Sequence, residues 1–239
     1  IKKINSKKHN ISFNGPFSQN INKSNTVSRL FNILDKQKLL NNKKFQINIK
    51  KNIPQQAGLG GGSMNAANIL NFLIKKKFLR LNQKKILEIT GLIGSDVILG
   101  INPINTILSS NNKIKKFSKS LNFHTLLVRP NFGCSTKKIY SGVKKYTKPV
   151  FNIPKQNMFS LRFLLKQENA LEKIAFLKYP KLKVIKSFLE NLNKPLFVRM
   201  TGSGSVLVAY YQKKQDCDLA KVQFKRKFKD YWCITSKTI

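Results

Sequence analysis

The chain has 239 residues, of which 41% are hydrophobic, so it can bury a substantial core and is not a disordered tail. Its 46 basic and 9 acidic side chains give a net charge of +37, which is extreme for a folded protein. Because Lys, Asn and Ile are the residues of A/T-rich codons, this charge is only weak support for a nucleic-acid partner.

The first half of the chain contains the clearer secondary-structure signals. Residues 1–25 are polar, with a turn at 14–16. Apolar residues at helical spacing predict a helix from Thr26, with Asn25 or Thr26 as its N-cap. Alternation over 45–50 predicts a strand. The pattern then predicts a glycine-rich loop, a helix over 66–77, a helix capped by Asn82 and ended by Gly91, and a weak strand over 105–108.

The second half alternates strands and helices, and the whole pattern is typical of an α+β protein. Strands are predicted over 123–129, 197–200, 206–211 and near Trp232, and helices over 137–145, 157–165, 182–192 and 220–228. The polar stretch Ser109–Ser120 is the expected linker between two lobes, 1–120 and 121–239.

Cysteine and histidine usage argues against several kinds of chemistry. The three cysteines are an odd number without Cys-x-x-Cys spacing, so neither a disulfide framework nor a zinc site is indicated, and we expect a cytoplasmic protein. Two histidines argue against a His-rich metal site or a Ser-His-Asp triad. The apolar runs are too short to cross a membrane, and no signal peptide is visible.

The most informative segment is Pro54–Ala67, which reads Pro-Gln-Gln-Ala-Gly-Leu-Gly-Gly-Gly-Ser-Met-Asn-Ala-Ala. Glycines between a strand and a helix let backbone N–H groups approach a ligand, and the helix N-terminus adds donors and a positive dipole end. The segment therefore predicts a phosphate-binding loop, in which Ser63 could cap the helix or bind a phosphate or Mg²⁺. It is neither a Walker A loop nor a Rossmann fingerprint, and a tight structural turn is the alternative.

Asp96 is the second candidate for chemistry, since it follows a helix and a short turn in a chain with 9 acidic residues. A carboxylate there can accept a hydroxyl proton and position the oxygen for attack on a phosphoryl group. A helix cap or a turn residue is the alternative.

Pro54–Ala67 resembles the ATP-binding loop of the galactokinase, homoserine kinase, mevalonate kinase and phosphomevalonate kinase (GHMP) superfamily. Its Gly-Leu-Gly-Gly-Gly-Ser-x-Asn-Ala-Ala form is closest to the branch that phosphorylates a hydroxyl of 4-diphosphocytidyl-2-C-methyl-D-erythritol in the non-mevalonate isoprenoid pathway. The resemblance continues in chain order through 25–27, 50–54, 94–97, 129–140 and 200–205. It implies a two-lobed α+β fold, with an N-terminal lobe like ribosomal protein S5 domain 2 and a ferredoxin-like C-terminal lobe.

The resemblance also implies roles for individual residues, with ATP and Mg²⁺ as cofactors. Asp96 would be the catalytic base, Asn25 and Lys51 would lie on the adenine side, and Tyr140 would lie near the cytosine. Gly202, Ser203 and Gly204 would face the nucleotide and substrate phosphates. The loop that encloses the ATP phosphates would comprise Pro54, Gln55, Gln56, Ala57, Gly58, Leu59, Gly60, Gly61, Gly62, Ser63 and Met64, with Ser63 also at the metal.

The chain departs from the family pattern at several points. The family begins with a strand carrying Pro-Ala-Lys-x-Asn and a following Asp-Gly-Tyr-His, which supply the catalytic lysine and part of the cytidine pocket. We expect this segment to precede Ile1 in the natural protein, and little activity without it. Met64 replaces a usual Ser, Val97-Ile98-Leu99 lacks the usual Pro, and Ser109–Lys116 lacks the usual Gly-x-Gly-Glu.

Three other functions stay open at this stage, although small-molecule partners are expected rather than membranes or specific nucleic acids. A different GHMP kinase would act on homoserine or mevalonate-type alcohols. A basic nucleic-acid-binding protein would use the lysine-rich runs 75–77, 113–119 and 225–227, although such runs are usually solvated faces. A non-catalytic paralogue would keep the fold alone.

Overall fold

A computed structural model describes residues 1–109, 114–118, 121–146, 151 and 153–238. The chain forms two compact units: Ile1–Gln55 with Gly60–Pro103, and Gln56–Leu59 with Ile104–Ile239. Each unit packs helices on a β-sheet, which confirms the predicted α+β class. The lobe boundary predicted at residue 120 falls outside the described residues and stays a prediction.

In the first unit, three helices pack on a small mixed β-sheet. Strand β3 (Lys44–Lys50) lies in the centre of this sheet, parallel to β2 (Asn10–Asn14) and antiparallel to β1 (Lys2–Ile4). The elements are β1 (Lys2–Ile4), β2 (Asn10–Asn14), α1 (Thr26–Lys36), β3 (Lys44–Lys50), α2 (Gly61–Lys75), α3 (Gln83–Ile93) and a 3-10 turn, Val97–Gly100.

Helix α1 confirms the prediction from apolar spacing. Its four apolar residues at that spacing are all buried in the core of the first unit, with Phe45 and Ile47 of β3 in the same core. Asn25 caps the helix, because its Oδ1 accepts hydrogen bonds from the N–H groups of Val27 (3.0 Å) and Ser28 (3.1 Å). The helix therefore has one buried face and a fixed start.

The strands β1 and β2 were not predicted, because lysine and asparagine dominate the first 25 residues. The signal for β2 is short but present: Ile11 and Phe13 alternate with polar residues and are partly buried. Pairing with β3 satisfies the backbone of β2, which its own sequence favours only weakly.

Helices α2 and α3 differ from their predicted bounds. Helix α2 begins at Gly61 rather than Ala66, so the glycine-rich loop contributes its first turn. Helix α3 continues through Gly91, which was wrongly predicted as its end, and stops before Gly94. Asn82 caps α3 as predicted, accepting from Lys85 N–H at 2.9 Å.

Gly91→Ala is expected to stabilise the protein by about 0.5–1 kcal/mol, because alanine loses less conformational entropy than glycine in a helix interior. A Cβ added at Gly91 would meet nothing within 4 Å, so no strain opposes the gain. Urea denaturation measures the change. A lower unfolding free energy in the variant would contradict the assigned helical conformation.

A partly buried histidine, His9, joins β3 to α1 in the first unit. His9 Nδ1 accepts from Phe45 N–H at 3.1 Å, which leaves the proton on Nε2, 3.3 Å from Asp35 Oδ1. Lys44 Nζ lies 2.7 Å from the other oxygen of Asp35. Burial lowers the pKa of His9 and outweighs the opposing effect of the Asp35 carboxylate.

The lowered pKa of His9 predicts that the folded protein is less stable in acid. The unfolded chain binds a proton at His9 more readily than the folded chain, so the unfolding free energy falls as the pH drops below about 6.5, the ordinary histidine pKa. Urea denaturation at about pH 7.5 and 5.5 should show a smaller pH-dependent loss in His9→Gln than in the parent protein. An equal loss in both proteins would exclude His9 as the cause.

The second unit contains the remaining elements, of which the first two are short antiparallel strands. They are β4 (Asn105–Leu108), β5 (Ile114–Phe117), β6 (His124–Arg129), α4 (Thr136–Tyr140), a 3-10 turn (Gln156–Phe159), α5 (Leu161–Leu165), α6 (Glu172–Lys178), α7 (Lys181–Glu190), β7 (Phe197–Met200), β8 (Leu207–Tyr211), α8 (Lys214–Lys227) and β9 (Trp232–Lys237).

The main sheet of the second unit has the strand order β7-β8-β6-β9, with every pair antiparallel. Helices α4 to α7 connect β6 to β7, and α8 connects β8 to β9, which is the β-α-β-β-α-β arrangement of a ferredoxin-like fold. Helices α7 and α8 pack on this sheet through buried residues such as Leu189 and Phe224. This arrangement confirms the prediction of a ferredoxin-like C-terminal lobe.

Several predicted bounds in this unit are wrong. Helix α4 ends at Tyr140 rather than Lys145, and α8 begins at Lys214 rather than Ala220. The expected linker Ser109–Ser120 contains β5, while its residues 110–113 and 119–120 lie outside the described ranges. Among the helices that the structure describes, none combines the length and hydropathy needed to cross a membrane.

Candidate active site

The start of helix α2 presents three backbone donors. Gly60 precedes the helix with φ of 62°, a left-handed conformation that favours glycine, and it provides no side-chain cap. The N–H groups of Gly61, Gly62 and Ser63 have no acceptor among the described residues. Unpaired N–H groups at the positive end of a helix dipole are the usual feature of an anion site.

Lys51 lies beside the same helix end. A Cβ built on Gly61 would lie 3.7 Å from Lys51 Nζ. Burial lowers the pKa of Lys51, and no described carboxylate lies within ion-pairing distance of it. An ammonium group that is partly desolvated and has no carboxylate partner of its own gains from a bound anion.

Lys51→Met is therefore expected to raise KM for ATP, the nucleotide that the sequence resemblance implies, by about tenfold or more, which corresponds to the loss of one charge-assisted hydrogen bond. Lys50→Met is the matched control, since Lys50 is adjacent but exposed. Steady-state kinetics of both variants of the full-length protein make the comparison. Equal KM values for the two variants would exclude a nucleotide contact by Lys51.

Helix α1 meets this helix end through Thr26, whose hydroxyl donates to Gly62 O at 2.8 Å. A Cβ at Gly62 would lie 3.1 Å from that hydroxyl, so the close approach favours glycine.

Three other predicted site residues make contacts within the protein. The side chain of Asn25 is occupied by its own helix cap and by a hydrogen bond to Asn22 O at 2.9 Å. Gln55 Nε2 donates to backbone oxygens of the preceding loop, and Pro54 is buried.

Asp96 is exposed immediately before the 3-10 turn. Ser95 Oγ lies 3.2 Å from its Oδ1 and donates to it, while the side chain caps no helix. The turn packs tightly on α2, because a Cβ at Gly100 would lie 2.6 Å from Ala67 Cβ. The packing that sets the position of α2 therefore also sets the position of the Asp96 backbone.

Two further loop residues have different environments. The Ser63 hydroxyl makes no hydrogen bond within the part of the chain that the structure describes. Met64 Sδ packs toward Gly100, where an added Cβ would lie 3.0 Å away. Met64 therefore packs against the 3-10 turn. Searched over the described residues, no three His, Cys, Asp or Glu side chains cluster as metal ligands.

In the second unit, the segment Gln56–Leu59 lies against the second glycine-rich turn, Thr201–Ser205. Thr201 Oγ1 donates to Gly58 O at 2.8 Å, and the N–H of Val206 donates to Ala57 O at 3.2 Å. A Cβ at Gly58 would lie 2.1 Å from Thr201 O, and φ of Gly58 is 70°. Only glycine fits this contact.

The turn itself is closely supported. Gly204 N–H donates to Thr201 O at 2.9 Å, while the N–H groups of Gly202 and Ser203 have no acceptor among the described residues. Ser203 Oγ pairs with Thr136 Oγ1 at 2.9 Å. The turn therefore has a fixed backbone with two unused donors.

Cys134 packs under this turn as an apolar group. A Cβ at Gly204 would lie 3.2 Å from Cys134 Sγ. Burial raises the pKa of the Cys134 thiol to about 11, so it stays protonated and unreactive near neutral pH.

Tyr140, the last residue of α4, is 54% exposed, and its ring is therefore accessible to a ligand.

Sequence reasoning identified both glycine-rich segments and Asp96, but it missed the residues that hold them. Thr26 contacts a residue 36 positions away, and Asn169 contacts Met200 and Gly202 across 31 and 33 positions. No local sequence pattern indicates such distant contacts.

Comparison with known proteins shows the family of the chain. The model of the GHMP kinase N-terminal domain matches residues 25–105, and the model of the GHMP kinase C-terminal domain matches residues 152–230. The chain belongs to the GHMP kinase family, whose members are phosphotransferases.

Among curated relatives, the chain is 56% identical to the 4-diphosphocytidyl-2-C-methyl-D-erythritol kinase of Pelagibacter ubique (strain HTCC1062), over 100% of this chain and 85% of the relative. It is 32% identical to the enzyme of that name from Petrotoga mobilis (strain DSM 10674 / SJ95), over 77% of this chain and 74% of the relative.

Solved structures show the same fold. A 4-(cytidine 5'-diphospho)-2C-methyl-D-erythritol kinase superposes with a TM-score of 0.72 at 21% identity, covering 95% of this chain and 82% of the other. A homoserine kinase from Cytophaga hutchinsonii also has a TM-score of 0.72, at 14% identity, covering 100% of this chain and 84% of the other.

Proposed function

We propose that this protein transfers the γ-phosphoryl group of ATP to a hydroxyl of 4-diphosphocytidyl-2-C-methyl-D-erythritol, a step in non-mevalonate isoprenoid precursor synthesis. This choice of substrate is supported by the 56% identity, over the whole chain, to a relative named 4-diphosphocytidyl-2-C-methyl-D-erythritol kinase. The free donors at the start of α2 support binding of the nucleotide phosphates.

The glycine loop and Lys51 supply the electrostatics of the reaction. The N–H groups of Gly61, Gly62 and Ser63 bind phosphate oxygens, and the Lys51 ammonium adds charge beside them. These groups are positioned before the nucleotide arrives, so little reorganisation accompanies the build-up of negative charge on the phosphoryl oxygens. Asn25 remains a candidate for the adenine side through its backbone, because its side chain caps α1.

Asp96 accepts the proton of the acceptor hydroxyl. The hydroxyl oxygen forms the new bond to phosphorus, the bond from phosphorus to the β-phosphate oxygen breaks, and ADP leaves with that electron pair. The exposed position of Asp96 gives a substrate access to the carboxylate, and the bond from Ser95 Oγ restricts its orientation.

Mg²⁺ would bind together with ATP. Magnesium sites in kinases usually combine one or two protein oxygens with phosphate oxygens, and the free Ser63 hydroxyl fits such a donor set. When bound, the ion neutralises charge on the phosphates. A dedicated cluster of acidic ligands is not required for this role.

The acceptor substrate is held by the second unit. Gly202, Ser203 and Gly204 form a turn whose free N–H groups suit a diphosphate, and the exposed ring of Tyr140 suits stacking on cytosine. A small-molecule kinase that uses ATP, with Cys134 as a buried neutral thiol, is consistent with a cytoplasmic location.

The proposal is tested by comparing three acceptors with the full-length protein and Mg-ATP: 4-diphosphocytidyl-2-C-methyl-D-erythritol, homoserine and mevalonate. ADP formation coupled to NADH oxidation should give a kcat/KM for the diphosphocytidyl acceptor at least about 100-fold above the others, because they lack the groups that its binding site pairs. Comparable values for homoserine or mevalonate would overturn the substrate assignment while retaining a kinase.

A further inference from the structure

The second glycine-rich turn, Thr201–Ser205, is held by hydrogen bonds from Asn169, which lies shortly before helix α6. Asn169 Nδ2 donates to Met200 O at 2.8 Å and to Gly202 O at 2.7 Å. Its Oδ1 accepts from Leu171 N–H at 3.0 Å. All three bonds are made by one partly buried amide, so the side chain has a single orientation in which both carbonyl oxygens receive a donor.

Glu172 holds the residue before the turn. Its Oε2 accepts from Met200 N–H at 2.8 Å, and its Oε1 forms an ion pair with Lys186 of α7. The side chain of Glu172 is only 13% exposed and that of Lys186 is 23% exposed, so the ion pair and the backbone bond are partly shielded from water. Met200 is therefore fixed through both its N–H and its carbonyl oxygen, and the turn begins from a rigid position.

The bond from Asn169 to Gly202 O has a direct geometric consequence. The carbonyl group of Gly202 and the N–H of Ser203 belong to one planar trans peptide group and point in opposite directions. Fixing the oxygen of Gly202 toward Asn169 therefore directs the N–H of Ser203 away from Asn169. This N–H has no acceptor among the described residues.

We propose that Asn169 is a positioning residue for substrate binding: by holding Gly202 O, it directs the Ser203 N–H toward a phosphate of the diphosphocytidyl substrate. This inference rests on the proposed function, because that function supplies the diphosphate. Without Asn169 the Gly202–Ser203 peptide group can rotate, and the donor is no longer fixed before the substrate arrives. Asn169 itself does not contact the reacting atoms.

The test compares the binding of CDP and cytidine, two probes that differ in the diphosphate. Asn169→Asp keeps the acceptor for Leu171 N–H but loses both donors to the turn, and Asn169→Ala removes the side chain without adding a charge. Asn82→Asp is the matched control, since Asn82 caps α3 in the first unit. Isothermal titration calorimetry on the full-length protein gives both dissociation constants for each variant.

The parent protein and Asn82→Asp should bind CDP more tightly than cytidine by the same factor. In Asn169→Asp and Asn169→Ala this factor should fall by about tenfold, with cytidine affinity unchanged, as expected for one bond to a charged group. A merely structural role would change the folded fraction and leave the ratio of the two constants unaltered.

An unchanged ratio in both Asn169 variants would overturn the inference. A parent protein that does not prefer CDP to cytidine would instead contradict the proposed function, and with it the inference that depends on it.

Discussion

Asp96→Asn in the full-length protein is expected to lower kcat by about 10²–10⁴-fold, the usual contribution of a positioned general base. Asparagine keeps the size of the side chain and can still accept from Ser95 Oγ, which lies 3.2 Å from Asp96 Oδ1. It cannot take the hydroxyl proton. KM for ATP and the unfolding free energy should change little, because Asp96 is exposed and caps no helix.

Steady-state kinetics and urea denaturation measure these quantities, with Asp218→Asn as the control for the loss of one exposed carboxylate. The control should retain the parent kcat. If Asp96→Asn also stays within about threefold of the parent, the carboxylate contributes less than about 0.7 kcal/mol to the barrier and is not the base.

Gly58→Ala is expected to destabilise the protein by about 2–5 kcal/mol, combining the cost of a left-handed non-glycine residue with steric overlap. The new Cβ would lie 2.1 Å from Thr201 O and 3.0 Å from Gly204 N, and both atoms belong to the backbone of the second glycine turn. Because backbone atoms cannot rotate away, the loop or the turn must shift. KM for the diphosphocytidyl substrate should rise in any folded fraction.

Gly60→Ala separates the two causes. Its φ of 62° is similar, but an added Cβ meets nothing within 4 Å, so only the conformational cost of about 1–2 kcal/mol remains. Urea denaturation of the two variants compares them directly. Equal losses of unfolding free energy would mean that the contact between Gly58 and Thr201 does not constrain the loop.

The extent to which sequence predicts this fold depends on how local the determining interactions are. Helix α1 and strand β3 were predicted because their buried residues recur with helical and two-residue periods. Strands β1 and β2 were missed because they are short and polar. Their pairing with β3 is a tertiary effect that the first 25 residues do not encode by pattern alone.

Glycine was the least reliable guide to helix ends. Gly91 was predicted to end α3, yet packing of Ile89 and Ile93 into the core of the first unit holds the helix past it. Gly61 and Gly62 were assigned to a loop, although they form the first turn of α2. In both cases buried apolar contacts farther along the helix outweigh the low intrinsic helix propensity of glycine.

In the candidate site, too, local sequence patterns were visible and contacts that form only on folding were not. Its glycines and Asp96 are visible in the sequence because a run of unusual residues is a local signal. The partners that fix them, among them Thr26, Asn169 and Glu172, are brought close by folding and had no local signature. The sequence therefore indicated candidate ligand-binding residues, but it did not indicate the residues that hold them in place.

Phosphorus NMR of the full-length protein with ATP, Mg²⁺ and 4-diphosphocytidyl-2-C-methyl-D-erythritol detects phosphoryl transfer to the substrate hydroxyl directly. We expect a new phosphomonoester signal on the acceptor, growing in step with ADP. ATP that is hydrolysed to ADP and inorganic phosphate while the acceptor stays unchanged, or ATP that is not consumed, would contradict the proposed transfer.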